Sequence, residues 1–491
     1  MNKTHLLTTF VILILTNSSF GQFANNKDLI TQTKLIEDYD FMLKTLEETH
    51  PNLYAYIPKT EFLNKTDELR KSINRPLSKP EFYKVLLKTI SLVKQGHTMV
   101  FGDPGFGVFL KEGGLSFPFT IKYDEGHIFI DENFSANKTI SKGTELIAIN
   151  RIPVSQIISD LTPYLRVRLN GFIGSTLEFN WARYLWLIYG FDKTFTISYI
   201  LPTEDIIRTE SIEGVNKEPR KKKYSYTDKI NLHIDRSKKL AIMNINTFEF
   251  DFEVYDSLLY NSFKSIKENK IENLIIDVRE NRGGNGNLLP TLINYLTDKP
   301  YIISSSSQIK TSEATRICYT THPVLVHAIE QARKAEKNSE DFLRLVDCFL
   351  EKPAGTITEF PKEEVFPTDN ENRFLGNLYV LTSHNTYSAG TIFSAVIKDN
   401  NIGNIVGEET SDNPTIYACI MLFELPNTKI NIQNSTQYCL RPAGYDDQHG
   451  VIPDFRVKQT YSEFLNGTDK VMNYTYWLIN EGITKRNIDH E

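Results

Sequence analysis

Residues 377–399, "NLYVLTSHNTYSAGTIFSAVIKD", hold the pattern that decides the fold. The first residues form a short apolar run typical of a buried strand, and those after Ser388 have the apolar spacing of a helix. A serine at such a junction can cap the helix. It can also be a nucleophile, because backbone N–H groups and the helix dipole favour a developing anion at a helix N-terminus. This stretch alone leaves both interpretations open.

The alternation of strand and helix continues on either side of this stretch. The strand-like runs "LAIMNINTF" and "IENLIIDVR" are each followed by a helical run, "YDSLLYNSFKSIKE" and "LLPTLINYL". Strands that alternate with helices predict an α/β core with parallel strands, here over residues 229–460. Residues 305–365 interrupt the order with a helical stretch of their own, so we expect an insertion there.

The remaining segments differ in their periodicity. Helically spaced apolar residues predict a helical region over residues 22–112, and short strand-like runs predict a separate unit over residues 115–203. The charged segment 204–228 contains "RKKK" and favours a linker. Residues 461–491 are interpreted as a C-terminal helical tail.

The N-terminus predicts export. Residues 1–21 combine a positive start, an apolar run and small residues before the expected cleavage point, the pattern of a secretory signal peptide. We therefore expect a periplasmic or extracellular protein. The apolar run is shorter than the roughly 20 residues of a membrane span, and nothing later approaches that length, so no span is predicted. The formal net charge of -6 argues against nucleic acid or an anionic membrane as partner.

Neither a metal nor a cofactor is expected. The four cysteines show no metal-ligand spacing, no G-x-G-x-x-G pattern is matched, and no GK[ST] follows the glycine pair. In an exported protein the cysteines could form two disulfides, and free buried thiols are the alternative. The simplest of the three pairings joins Cys318 to Cys348 and Cys419 to Cys439.

Acyl transfer requires a nucleophile, a base, a group that orients the base, and N–H donors for the oxyanion. Gly283 and Gly284 follow a buried strand, where backbone N–H groups can be exposed, although a tight turn alone also uses glycine. "TYSAG" is not G-x-S-x-G, so the α/β-hydrolase elbow is not supported. Among the ten histidines, His97 in "QGHT" follows a helix and a glycine, which indicates a loop at a domain edge. For any single histidine a packed or solvated imidazole is the default interpretation, and only geometry distinguishes a catalytic one.

Taken together, several motifs resemble those of the C-terminal processing peptidases and the tricorn core protease. In chain order they are "QGHT" at 95–98, "LIIDVRENRGG" at 274–284, "LYVLTSHNTYSAG" at 378–390, "IVGEET" at 405–410 and "HGVIPDFRV" at 449–457. The resemblance implies a serine peptidase with a crotonase-like (ClpP-type) α/β core and, in residues 115–203, a PDZ-like domain. The run "KGTELIAIN" is similar to a PDZ strand, to whose edge an extended peptide would add.

The resemblance also implies roles for single residues. It makes Ser388 the nucleophile and places oxyanion donors on Gly283, Gly284 and Ala389. Processing peptidases use a lysine as base, but "GEETSDNPT" has an aspartate and an asparagine at that point. The tricorn-like branch instead uses a histidine, here His97.

In that branch an acid before the "G-V-x-P-D" motif orients the histidine. That acid is Asp447 here, with the adjacent Asp446 as the alternative. The predicted protein is an exported serine endopeptidase that acts on peptides or unfolded proteins, and its activity should fall below about pH 6.5 as His97 is protonated. The alternative is a catalytically inactive relative that binds peptides or small lipids.

Overall fold

The computed structural model describes residues 29–166, 168–220, 229–321, 323–334 and 340–484. The predicted signal peptide, residues 1–21, lies outside these ranges. So do residues 221–228 of the predicted linker and residues 485–491 of the predicted tail. No helix within the described ranges is long and apolar enough to cross a membrane.

The N-terminal region is mostly helical. Its elements are α1 (Gln32–Thr49), α2 (Lys59–Ser72), α3 (Lys79–Ser91), β1 (Met99–Phe101) and α4 (Phe106–Lys111). A capping box begins α3, because the Ser78 side chain accepts from the Glu81 N–H and the Glu81 carboxylate accepts from the Ser78 N–H. The buried faces of α1, α2 and α3 pack on one another and on β18 of the second half of the chain, whose range is Asn431–Leu440.

The next unit is an antiparallel sheet with two helices. Its elements are β2 (Phe119–Asp124), β3 (His127–Asn133), β4 (Glu145–Ile149), β5 (Ile152–Pro153), α5 (Val154–Leu161), α6 (Asn170–Tyr189), β6 (Thr194–Ile200) and β7 (Arg208–Glu213). The strand order is β2-β3-β4-β6-β7, and β5 pairs with β4. We call this unit the small-sheet block.

Two sequence predictions fail in the small-sheet block. β4 contains most of the "KGTELIAIN" run, but it lies between β3 and β6, so hydrogen bonds from both sides occupy its edges. An added peptide strand cannot pair there. β7 falls inside the predicted linker and pairs with β6 along its whole length, so this part of residues 204–228 is a strand.

The second half of the chain contains the core. Its elements are β8 (Ile230–Asp235), β9 (Leu240–Ile245), α7 (Phe252–Glu268), β10 (Asn273–Asp277), α8 (Leu289–Ile293), β11 (Tyr301–Ser304), β12 (Ser306–Lys310), α9 (Glu313–Thr321), α10 (Pro323–Lys334), α11 (Glu340–Glu351), β13 (Ile357–Phe360), β14 (Glu363–Val365), β15 (Asn377–Thr382), α12 (Ala389–Asp399), β16 (Asn404–Gly407), β17 (Ile416–Glu424), β18 (Asn431–Leu440), β19 (Phe455–Arg456), α13 (Tyr461–Leu465) and α14 (Lys470–Asn480).

The predicted mixed α/β core is confirmed in a six-stranded sheet of order β19-β16-β15-β10-β9-β8. All neighbours are parallel except β8, which pairs antiparallel with β9. Successive residues alternate between two buried faces. Ile276 and Val380 face the cluster that includes α7, α8 and α12, whereas Ile275 and Tyr379 face the cluster that includes α14. Burying each such side chain contributes about 1.5–3 kcal/mol.

A second, antiparallel sheet lies beside the core. Its order is β1-β18-β12-β13, and β17 also pairs with β18. Residues 305–365, the predicted insertion, contribute β12 and β13 to this sheet in addition to their helices. The helices α9, α10 and α11 of the insertion bury a small apolar cluster of their own.

All four cysteines are free thiols, which is the alternative that the sequence left open beside two disulfides. The strand register gives the reason for one pair. Cys439 on β18 lies opposite Ile416 rather than Cys419 on β17. The offset of roughly 10 Å along the strands, at about 3.4 Å per residue, exceeds the Cα separation of a disulfide.

Candidate active site

The candidate active site lies at the carboxyl ends of two strands of the parallel sheet. β10 and β15 are parallel neighbours, so the loops after their carboxyl ends emerge side by side. The loop after β10 carries Gly283 and Gly284. The loop after β15, which we call the serine loop, spans residues 383–388 and leads directly into α12.

Ser388 precedes α12 without capping it. Its side chain makes no capping hydrogen bond, and its backbone has φ 52° and ψ -120°. A positive φ is uncommon and strained for a residue with a Cβ. The Oγ atom instead lies 3.0 Å from Nε2 of His97. This hydrogen bond joins two residues that are 291 positions apart in the chain.

A buried asparagine, Asn281, ties the serine loop to the glycine loop. Its backbone carbonyl accepts from the Tyr387 N–H at 3.0 Å, and its Oδ1 accepts from the Gly283 N–H at 2.8 Å. Its Nδ2 donates to the Ile245 carbonyl of β9. Sequence reasoning missed this residue, although its place two residues before the glycine pair was visible.

The two glycines have different tasks. A Cβ on Gly283 would lie 2.7 Å from the Ser388 Cβ, so only glycine permits this approach, and its own N–H is already bonded to Asn281. The Gly283 carbonyl accepts from the Phe248 N–H. Because N–H and C=O point in opposite directions across a trans peptide, the Gly284 N–H points away from Phe248.

His97 is anchored by the second sheet. Its carbonyl accepts from the Gln433 side chain of β18 at 2.9 Å, and its ring stacks on Tyr387 at 5.4 Å between centroids. Burial and, to a smaller extent, the nearby Arg166 guanidinium lower the pKa of His97 to about 4. The imidazole is therefore neutral at physiological pH, the form that can accept a proton.

The carboxylate beside this imidazole belongs to Asp412. Its Oδ2 lies 3.9 Å from Nδ1 of His97, and its Oδ1 accepts from the Asn413 N–H at 3.0 Å. Burial raises the pKa of Asp412 from 3.8 to about 7. A separation of 3.9 Å is longer than a hydrogen bond, and catalytic hydrogen bonds are often long in a site without substrate.

The structure brings His97 and Ser388 together but does not bring Asp447 to them. Both oxygens of Asp447 accept from Arg441 at 3.1 Å, and Arg441 also pairs with Asp399 at the end of α12. Asp446, the alternative acid, accepts from the side chain of Asn413. Sequence reasoning noticed Asp412 only as a position that lacks the family lysine.

Lys398 is committed to a different contact. Its ammonium pairs with Asp454 at 3.1 Å, and Asp454 also accepts from the Ile405 N–H, which fixes the end of the core sheet.

Among the described residues, no group of three or more histidine, cysteine, aspartate or glutamate side chains is arranged to hold a metal ion.

A buried ionic cluster lies behind the serine loop. His384 Nδ1 lies 3.1 Å from Glu408, and His384 Nε2 lies 3.5 Å from Glu178 of α6. Glu178 also pairs with Lys122 of β2 at 2.8 Å. Burial by itself would lower the pKa of His384, but the two carboxylates outweigh burial and raise it to about 9. The cluster thus joins the small-sheet block to the serine loop through a charged imidazole.

One known protein family and several solved structures are similar to this chain. Residues 239–457 match the model of Peptidase family S41. The fold is similar to the crystal structure of mature CPAF, with TM-score 0.65 and 16% identity over 92% of this chain and 99% of that chain. Mature CPAF complexed with lactacystin gives TM-score 0.64 at 16% identity, over 92% of this chain and 99% of that chain.

For the tricorn protease the TM-score is 0.39 at 14% identity, over 92% of this chain and 37% of that chain. No curated protein matches the chain in sequence. The region matched by the family model contains Ser388, Asn281, the glycine pair and Asp412, whereas His97 lies outside it. Peptides or proteins are the substrates of this family. The protein is a serine-type peptidase, and its residues 239–457 carry the match to Peptidase family S41.

Proposed function

We propose that the protein is an exported endopeptidase in which Ser388, His97 and Asp412 form the catalytic triad. The observation that carries this proposal is the 3.0 Å contact between Ser388 Oγ and His97 Nε2, made by a serine in a strained backbone conformation. Strained residues concentrate at functional sites. A binding protein would need neither the strain nor a neutral imidazole on that hydroxyl.

The chemistry follows from these positions. Ser388 Oγ attacks the scissile carbonyl carbon while its proton moves to Nε2 of His97. When the tetrahedral intermediate collapses, the C–N bond breaks and the same proton passes to the leaving amine. Water then attacks the acyl-enzyme by the same route in reverse, with His97 as base, and the carboxylic acid product leaves Ser388.

Asp412 takes the orienting role that the sequence suggested for Asp447. Its Oδ2 is buried and has no hydrogen-bond partner among the described residues, and it is the carboxylate oxygen at 3.9 Å from His97 Nδ1. An unsatisfied buried oxygen is costly. A shift of roughly 1 Å on substrate binding would give it the imidazole N–H as partner, and the ionised carboxylate would then stabilise the imidazolium that forms.

Two backbone N–H groups are suited to hold the oxyanion. Ala389 is the first residue of α12, where N–H groups have no acceptor inside the helix. The Gly284 N–H points away from Phe248, on the side that Gly283 leaves open for Ser388. Gly283 itself is excluded as a donor because Asn281 holds its N–H. Removing one such donor typically costs about 3 kcal/mol of transition-state stabilisation.

The test of the nucleophile uses Ser388→Ala. We expect the variant to lose peptide hydrolysis and labelling by a serine-reactive fluorophosphonate, and to keep the parent's melting temperature. Peptide mapping of the labelled parent should find the adduct on Ser388. Lys398→Ala serves as a control that keeps labelling, because Lys398 contacts the Asp454 carboxylate instead of the site. A labelled Ser388→Ala protein would contradict the assignment.

Three further features belong to the same proposal. Residues 1–21 would direct export and be removed. The small-sheet block would be PDZ-like and the parallel core crotonase-like, since the block is an antiparallel sheet with two helices and the core carries its serine after a buried parallel strand. The block would bind unfolded chains through a surface other than β4, whose edges are filled.

A further inference from the structure

Two arginines line the cleft next to the catalytic pair. The cleft is bounded by His97 and Asp412 and by the side chains of Arg166, Arg168 and Tyr56. The chain as a whole carries a net charge of -6, so paired cations at this position are not part of a generally basic surface. Their position bears on which substrates the peptidase accepts.

Both guanidinium groups are held in place by neutral partners. Arg166 donates to the Gly96 carbonyl and lies over the Phe172 ring at 5.6 Å. Arg168 donates to the Gln448 carbonyl and lies over the Tyr56 ring at 4.7 Å. A guanidinium has five N–H donors in a fixed plane, so each retains donors after these contacts.

Neither guanidinium has a carboxylate within salt-bridge distance among the residues that the structure describes. Three partly buried arginines elsewhere, Arg183, Arg279 and Arg441, are each paired with a carboxylate at 3.1 Å or less. A fourth, Arg373, has neutral partners like the two cleft arginines, but it bonds to Asn294 and Thr368 and does not line the cleft. Asp412 is close enough to be influenced by both cleft arginines, but it lies outside contact distance and carries a raised pKa because it is buried. The cleft therefore has an excess of positive charge when it is empty.

We propose that Arg166 and Arg168 form a carboxylate-binding subsite that selects substrates with an acidic group close to the scissile bond. This inference rests on the proposed function, because it assumes that the adjacent His97 acts on the bound peptide. The carboxylate can come from an aspartate or glutamate side chain or from the C-terminus of the substrate. A planar pair of donors matches a carboxylate with two parallel hydrogen bonds, whereas a neutral amide offers a single acceptor.

The experiment measures binding to the Ser388→Ala protein, which keeps the cleft and cannot cleave. Fluorescent peptides are compared in matched pairs, glutamate against glutamine at each position and free C-terminus against amide. We expect one acidic member to bind about tenfold more tightly than its neutral partner, as one charge-assisted pair of hydrogen bonds provides. Which pair differs identifies the source of the carboxylate.

Arg168→Gln in the same background should reduce that ratio to less than about twofold, whereas Arg168→Lys, which keeps the charge, should keep part of it. Arg208→Gln, which changes an exposed arginine on β7, should leave the ratio intact. Equal binding within every pair, an unchanged ratio in Arg168→Gln, or no binding at millimolar peptide overturns the subsite. Because binding is read without turnover, a failed subsite is distinguishable from a failed nucleophile assignment.

Discussion

Ser388 adopts a backbone conformation that costs about 1–3 kcal/mol, and its neighbours show how the fold maintains it. The Tyr387 N–H before it is held by Asn281, and the Thr386 carbonyl accepts from the Ser411 N–H. Thr386 also donates its hydroxyl to the Val278 carbonyl at the end of β10. The serine loop is therefore fixed from both neighbouring strands, and the hydroxyl points at His97 rather than at its own helix.

The identity of the orienting acid can be tested by paired substitutions. Asp412→Asn should lower kcat/KM about 100-fold or more, because an amide that donates to Nδ1 holds the imidazole in the wrong tautomer. Asp447→Asn should change kcat/KM by no more than about threefold, because Asp447 contacts Arg441, which keeps Asp399 as partner. The measurement is hydrolysis of a fluorogenic peptide. The reverse order of effects would restore Asp447 to the site.

The same residue sets the pH dependence of activity. Catalysis requires ionised Asp412 and neutral His97. Since burial raises the pKa of Asp412 to about 7 and lowers the pKa of His97 to about 4, the acid limb near neutrality belongs to Asp412. We expect kcat/KM to fall as the pH drops from 8 to 6, and the residual activity of Asp412→Asn to lack this limb. If the fall in kcat/KM persists in Asp412→Asn, it would be due to protonation of His97, as the sequence predicted.

Asp412 should make the free energy of unfolding fall as the pH rises, whereas it makes kcat/KM rise. Its folded-state pKa lies above the ordinary value of 3.8, so the folded protein binds the proton more tightly than the unfolded chain. The contribution to stability is fully present below pH 3.8 and is lost as the pH rises through about 7. Asp412→Asn removes this loss. In urea unfolding, the free energy of unfolding of Asp412→Asn minus that of the parent should grow by about 2–3 kcal/mol from pH 5 to pH 8. A constant difference would argue against a buried carboxylate.

At the scale of elements, α6 connects the small-sheet block to the serine loop. The Phe172 ring lies 5.5 Å from the Tyr387 ring, and Glu178 pairs with His384 and Lys122. Glu178→Gln should cost about 3 kcal/mol of unfolding free energy, because it leaves buried cations with fewer carboxylates. It should also slow fluorophosphonate labelling of Ser388 at temperatures where the variant is folded.

Glu204→Gln is the matched control for this prediction. Glu204 belongs to the same block and pairs at the surface with the exposed Arg208. Its substitution should therefore lower the free energy of unfolding by less than about 1 kcal/mol and leave labelling unchanged. If Glu178→Gln lowers stability but labels at the parent's rate, then the buried cluster supports folding only and does not position the serine.

The elements differ in how far the sequence predicted them. The parallel strands were predictable because β10 and β15 are short apolar runs followed by helices. β18 was not, because its buried positions include Asn434 and Gln437, which hide the apolar pattern. α6 was missed because it contacts two clusters, through Leu177 and Leu187, and so lacks a single apolar face.

The site was predictable where its residues stand in local motifs, and it was not predictable where the fold brings distant residues together. Ser388 and the glycine pair stand in local motifs beside the strands that present them. His97 and Asp412 come together only through the second sheet and the loop after β16, and no local pattern records which distant acid will lie beside an imidazole. The acid was therefore assigned to a motif position, and the fold places that residue on Arg441 instead.

At the scale of the whole molecule, the described fold holds together without covalent links between its parts. All four cysteines are free, and three of them are buried. We expect the unreduced protein, once denatured, to take up iodoacetamide on all four cysteines, as measured by mass spectrometry. A reductant should leave the melting temperature unchanged. Adducts that form only after reduction would show a disulfide.

The attachment of His97 to β18 has a consequence for the order in which the enzyme is made. His97 is synthesised early, Ser388 much later, and Gln433, whose side chain holds the His97 carbonyl, later still. A growing chain thus contains His97 and Ser388 before it contains β18, the strand that holds His97 in place. We therefore expect peptide hydrolysis only after β18 has been made, and a chain that ends before β18 should not cleave peptides.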